Sequence, residues 1–308
     1  MLRFLVPKIG GALLTLLLAV TIAFLLGRAA GDPVRQMLGE MATEEQVAAA
    51  RAELGFDRPL PVQFGTYLAD LARGDLGESL RYNRSNWELI LSRLPASLQL
   101  AGAAVVLGTV FGIPLGILAA IRENTIWDRI SVSLALIGQS MPLFWLGMMF
   151  VLLFAVRLDW LPSGQAGTWR HLVLPAATLA MFPLARIARL TRSSMSEVLE
   201  NNYIASARAR GLSEWRVIIG HALRNASLPV LTLIGLQAGA LLSSAVTVEF
   251  VFAWPGLGTL ATQAVQFRDF GLVQAIVIVG AVTFVAINLL VDVIYGVIDP
   301  RIRDAANA

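Results

Sequence analysis

Cysteine is absent from the 308 residues, which excludes disulfides, iron–sulfur clusters and thiol catalysis. Histidine occurs twice, at His171 and His221, far apart and on different expected elements, so no histidine pair is available to build a metal site. Charged residues are scarce at 15%, against about 25% in a soluble domain. No GxxxxGK[ST], HExxH or GxSxG string occurs. The chain therefore has no Walker A cradle for a nucleotide, no zincin helix and no nucleophile elbow. No catalytic residue and no metal ligand is expected. The net charge of +3 comes mostly from arginine. In a chain this apolar it reads as membrane topology rather than nucleic-acid binding.

Hydrophobic residues make up 56% of the sequence, gathered into runs that suit a bilayer core of about 20 helical residues. Six spans are expected, over about 9–28, 95–121, 130–156, 171–190, 226–248 and 270–294, giving an all-α, polytopic membrane protein. The first run follows Arg3 and Lys8, so a signal peptide is the competing reading. The run is longer than a signal core and GRAAGDP is a poor cleavage context, which favours an uncleaved span. The one extended polar region, 29–94, reads as helical. Thr43 and Gln46 form a capping box for a helix ended by Gly55, a second helix over 61–73 stops at Gly74, and Ser85 with Glu88 starts a third. In the second span Gly108, Gly112 and Gly116 line one face, which lets helices approach closely. Pro142 breaks the hydrogen-bond ladder of the third. Gln139 and Ser140 beside it have two readings, lining a translocation path or bonding a neighbouring helix. The short uncharged part of the fourth span ends at Arg186, read as an arginine near a helix end that snorkels to the interface. Glu249 reads as an interface carboxylate bonded to nearby backbone, ahead of a residue lining an outer gate.

Charges return in the loop 191–225, where arginines outnumber acids. The positive-inside rule places that loop in the cytoplasm, and counting spans puts both termini inside and 29–94 outside. Within it, Asn202 to Arg210 has helical composition, and Gly211 suits the left-handed position that ends a helix. Ser213 suits an N-cap, and Glu214 the first turn of a second helix. That helix is expected to end near Asn225, with Pro229 opening the next span. On composition alone an ordinary solvated loop fits as well as a functional one.

Ala205, Ala207, Gly211 and Leu228-Pro229 resemble the EAA loop of binding-protein-dependent ABC importer permeases. The string YIASARARGLSEWRVIIGHALRNASLPVL resembles the peptide/nickel branch in particular. Ala205 stands where that motif carries its glutamate. LGFDRPLPVQFGTYLADLARGDLGESL, VEFVFAWPGLG and the ends GDPV and NLLVDVIYGVIDPRIR are similar to the same family. The resemblance implies a type I importer permease in the bacterial inner membrane, with the helical loop 29–94 extracytoplasmic. It implies partners: a homologous second permease, two cytoplasmic ATPases that use ATP and Mg, and a solute-binding protein that delivers dipeptides or oligopeptides. Nickel chelates, glutathione and opines are the other cargoes of this branch. The coupling residues it implies are Tyr203, Ala205, Ala207, Arg208, Arg210, Gly211 and Leu212. Two readings from other classes stand beside it. An ion-driven secondary transporter would want charges at the midplane and internal repeats. A structural membrane subunit would need no loop shaped for an ATPase.

Overall fold

A computed structural model of the chain describes residues 2–29, 33–38, 42–53 and 55–298. The motif ends GDPV and DPRIR lie wholly or partly outside them. The described chain is helical apart from one two-stranded ribbon, and five of its helices are long and apolar enough to cross a membrane. It forms two compact units.

The first unit takes residues 1–95 and 256–289. It holds α1 (Leu2–Ala29), α2 (Pro33–Leu38), α3 (Glu44–Glu53), α4 (Leu60–Ala72), the strands β1 (Glu78–Ser79) and β2 (Arg84–Ser85), α11 (Leu257–Gln266) and most of α12 (Phe270–Ile298). The expected capping box forms: the Thr43 N–H donates to Gln46 Oε1 at 3.0 Å and the Gln46 N–H to Thr43 Oγ1 at 3.3 Å. The helices expected to stop at Gly55 and Gly74 do so. Phe24 of α1 meets Phe64 and Tyr67 of α4 at 5.2 and 5.6 Å between centroids. Burial pushes the Tyr67 hydroxyl up to about 12. The ribbon pairs Glu78 with Ser85 and Ser79 with Arg84. Asp269 fastens it: its carboxylate accepts from Ser79 Oγ at 2.5 Å and the Arg81 N–H at 3.2 Å, and caps α12 by accepting from the Leu272 N–H at 3.2 Å.

The second unit takes residues 96–255 and 290–299. It contains α6 (Ile126–Ser140), α7 (Leu143–Phe150) with its π-helical continuation Val151–Arg157, α8 (Trp169–Leu199), α9 (Asn202–Ala209), a π-helical stretch Arg216–Ala222 and α10 (Leu223–Val251). α5 (Asn86–Ile121) is one helix, and the division between the units falls within it. The third polar helix expected to start near Ser85 and the second span are therefore continuous, and Pro95 does not end them. The span expected over 130–156 is instead two helices. Met141 is extended at φ −81° and ψ 135°, because the ring of a following proline crowds the helical conformation of the residue before it. α8 runs through Pro175 and Pro183 and past the expected boundary at 190, since no breaker intervenes before Glu200. The helix expected to end near Asn225 runs on through Pro229 into α10.

α8 is the centre of this unit, with Leu174, Leu179, Ala185, Ile187 and Met195 buried. α5 lies against it along the glycine stripe. A Cβ on Gly108 would sit 3.2 Å from Pro183, on Gly112 3.0 Å from the Leu184 carbonyl oxygen, and on Gly116 2.5 Å from that of Ala188. The approach tightens along the helix, and at Gly116 a rigid backbone fills the space. Gly116→Val is expected to destabilise the protein by roughly 1–3 kcal/mol. Gly102→Ala, on the same helix with nothing within 4 Å, is expected to be neutral or slightly stabilising. Thermal unfolding of the two variants in detergent checks the contrast.

Candidate functional site

Two residues separate α8 from the short helix α9. Asn201 is extended at φ −71° and ψ 144°, and its Nδ2 donates to the Glu197 carbonyl at 3.1 Å, satisfying an acceptor at the end of α8. α9 is amphipathic over two turns: Ile204 and Ala207 are buried, while Tyr203, Ala205, Ser206 and Arg208 are exposed. The buried pair joins Met195 of α8, Ala120 of α5, Val217 and Ala222 of the π-helical stretch and Ala226 of α10 in one apolar cluster. Ends of three long helices thus meet beneath α9.

Gly211 has φ +77°, where a Cβ would clash with its own backbone. Its N–H donates to the Arg208 carbonyl at 2.9 Å, and that of Leu212 to the Ala207 carbonyl at 3.4 Å. This bonding is a Schellman ending, completed as Leu212 packs on the cluster that holds Ala207. The chain then turns into a helix whose first turn carries Glu214. Arg208 clasps Glu214 across the bend, Nε to Oε1 at 2.9 Å and Nη2 to Oε2 at 3.3 Å. Both side chains are exposed, so the clasp contributes about 0.2–1 kcal/mol. Asn225 Nδ2 donates to the Tyr203 hydroxyl at 2.7 Å, tying α9 to the start of α10.

The structure therefore gathers Tyr203, Ala205, Ala207, Arg208, Arg210, Gly211 and Leu212 into one bend and divides them into two kinds. Tyr203, Ala205, Arg208, Arg210 and Gly211 lie on the surface, beside the exposed Trp215 and Arg216. Ala207 is buried and Leu212 half-buried, so they hold the bend from within. Gln139 and Ser140 stand elsewhere, at the end of α6 before the break, the first half-buried and the second exposed. Glu249 is buried near the end of α10 and accepts a hydrogen bond from Ser97 Oγ at 2.5 Å. Its side chain thus meets a side-chain hydroxyl of α5. Next to Ser97, the Ala96 carbonyl accepts from Trp254 Nε1 at 2.9 Å, so the WPGLG turn is seated on the same turn of α5.

Three features escaped the sequence reading because their partners are far apart in the chain. Arg192 Nε donates to Asp128 Oδ1 at 2.6 Å and Nη2 to Oδ2 at 2.9 Å, with Glu123 at 3.5 Å. The pair joins the start of α6 to α8. Arg186 lies midway along α8, not near its end, and points to Gln237 of α10. The ribbon fastened by Asp269 is the third. Mixed charge in 122–129 was the one available signal for the first. Among the described residues no group of three or more His, Asp or Glu side chains is placed to hold a metal ion.

A family model described as "Binding-protein-dependent transport system inner membrane component" matches residues 112–304, and its N-terminal companion matches 1–101. The dipeptide transport system permease protein DppB of Escherichia coli K12 is 41% identical, covering 98% of this chain and 99% of that one. The di/tripeptide permease of Pseudomonas aeruginosa UCBPP-PA14 is 39% identical over the same shares. The glutathione transport system permease GsiC of Salmonella choleraesuis is 41% identical, again over 98% and 99%. Among solved structures, an inward-facing MetNI methionine ABC transporter chain aligns with TM-score 0.59 at 17% identity, covering 69% of this chain and 97% of that one. A second, from an amino acid ABC transporter, aligns with TM-score 0.54 at 16% identity, covering 68% and 93%. At these identities the structures establish a shared fold.

The Arg192 guanidinium holds the Asp128 carboxyl below the usual carboxylate range. A depressed pKa contributes stability that is fully present above the ordinary value near 4 and is lost as pH falls through the lowered one. Asp128→Asn is expected to cost roughly 1.5–3 kcal/mol at neutral pH, the range for a hydrogen bond to a charged group. It should also flatten the acid limb of stability, which thermal unfolding between about pH 3 and pH 7 measures.

Proposed function

The chain belongs to the binding-protein-dependent transport system inner membrane component family, and on that premise we propose that it forms half of the translocation path of an ATP-driven peptide importer. A homologous permease supplies the other half. Two ATPase subunits bind at the α9 bend, and a solute-binding protein delivers substrate on the opposite side. The sequence carries no Walker A string, so the motor is a separate subunit. Dipeptide and di/tripeptide permeases are among the relatives, and a glutathione permease is as similar as the dipeptide one. Short peptides, glutathione included, are accordingly the substrate class.

The observation that carries the reading is the bend itself. Its outer face offers Tyr203, Ala205, Arg210 and Trp215 to a partner, while its inner face rests on α5, α8 and the start of α10. A partner that moves α9 pulls on all three helices at once. Arg189, Arg210, Arg216 and Arg224 are exposed around it, which supports a cytoplasmic position for the bend and for both termini. The ribbon and α3 to α4 then lie outside.

Gly211→Val is expected to break the Schellman ending while the long helices remain inserted. In reconstituted complex, ATP hydrolysis should persist and uptake fall by tenfold or more. Unchanged uptake would remove the bend from the mechanism. Because cysteine is absent, Asp57→Cys on the exposed stretch before α4 gives a single label. A membrane-impermeant maleimide should reach it from the periplasmic side in intact spheroplasts. Labelling only after lysis would invert the topology.

A further inference from the structure

Arg186 lies on α8, in a helix long and apolar enough to cross a membrane. Its guanidinium rests over the Phe182 ring at 4.3 Å, and Nη1 reaches Gln237 Oε1 at 3.5 Å. Among the described residues no carboxylate pairs with it, whereas Arg192, six residues on, is matched by Asp128 and Glu123. Gln237 sits fourteen residues from either end of α10, is 4% exposed, and its Nε2 donates to nothing. A cation and an amide donor thus stand side by side in the middle of two helices with one long acceptor contact between them. Uncompensated charge and unpaired donors are costly within a span, and such residues mark substrate and ion pathways. The missing complement is an anionic acceptor with two oxygens, because a guanidinium fork binds a carboxylate through parallel bonds. α8 and α10 are also the two helices that enter and leave the α9 bend, so whatever Arg186 binds is held where movement of the bend is felt.

We propose that Arg186, with Gln237 beside it and Phe182 beneath it, receives the carboxylate of the substrate during its passage along α8 and α10. The proposal deepens the peptide-importer reading and rests on it. It assigns to the permease a selection for substrates bearing a free carboxylate, independent of the binding protein. Arg186 acts as a binding residue and no bond is made or broken.

The test uses the complete complex in proteoliposomes with its binding protein, comparing ATP-driven uptake of alanyl-alanine and of alanyl-alanine amide. The binding protein's own preference is common to all variants and cancels when the carboxylate-to-amide ratio of one is divided by that of another. Arg186→Gln is expected to lower the ratio about tenfold or more, as loss of a charge-assisted pair implies. Arg186→Lys should keep part of it, having the charge without the fork. An Arg186→Gln ratio equal to wild type overturns the assignment while leaving the importer reading intact. Wild-type complex that takes up neither compound overturns both. Photolabelling of wild-type complex with a diazirine dipeptide during turnover gives an answer independent of variant folding. Adducts on the segments carrying Phe182 to Arg186 or Gln237 are expected, and adducts confined to other segments overturn the proposal.

Discussion

Ile204 and Ala207 are the two buried side chains of an eight-residue helix, and α9 depends on them. A helix shorter than about 12 residues is marginal in water on propensity alone. α9 persists because those side chains lie in an apolar cluster assembled from Met195, Val217, Ala222 and Ala226. That dependence runs both ways. α9 is rigid only while the helix ends below it stay together, and those ends stay together partly because α9 covers them.

Beneath that cluster the unit is built by backbone proximity rather than by bulk. Between lipid-exposed helices there is little hydrophobic driving force, so dispersion at short range carries association. The glycine face of α5 brings it onto α8, closest at Gly116 and loosest at Gly108. The tight end lies on the side of the α9 cluster, to which Ala120 of the same helix contributes. The Asp128–Arg192 pair adds a directional bond at that end. The region nearest the bend is thus the most firmly joined, and the firmness comes from contacts that tolerate no added atoms.

Local chemistry made much of this readable in the sequence. The Gly211 turn, the Thr43–Gln46 box and the glycine stripe each depend on residues within eight positions of one another, and each stands where the sequence placed it. The family resemblance likewise rested on strings, and the relatives bear it out. Boundaries that depend on distant packing were less legible. Pro229 was expected to open a new span, yet the helix before it runs on through it. Pro142 did interrupt its helix. The Asp269 anchor, the Ser97–Glu249 bond and the Arg186–Gln237 contact join residues 190, 152 and 51 positions apart. No periodicity announces such pairs. Ala207 shows the limit within a motif: the string marks the position but does not tell which way the side chain faces.

The two sides of the bend are built differently. Toward α8 there are two residues, Glu200 and Asn201, with a side chain bonded back to Glu197. That joint has no spare length. Toward α10 the chain passes through the π-helical stretch Arg216–Ala222, where each turn holds more residues than an α-helix. Were α9 displaced, α8 would be drawn with it directly across that joint. On the other side α10 would be drawn through a stretch of different helical pitch.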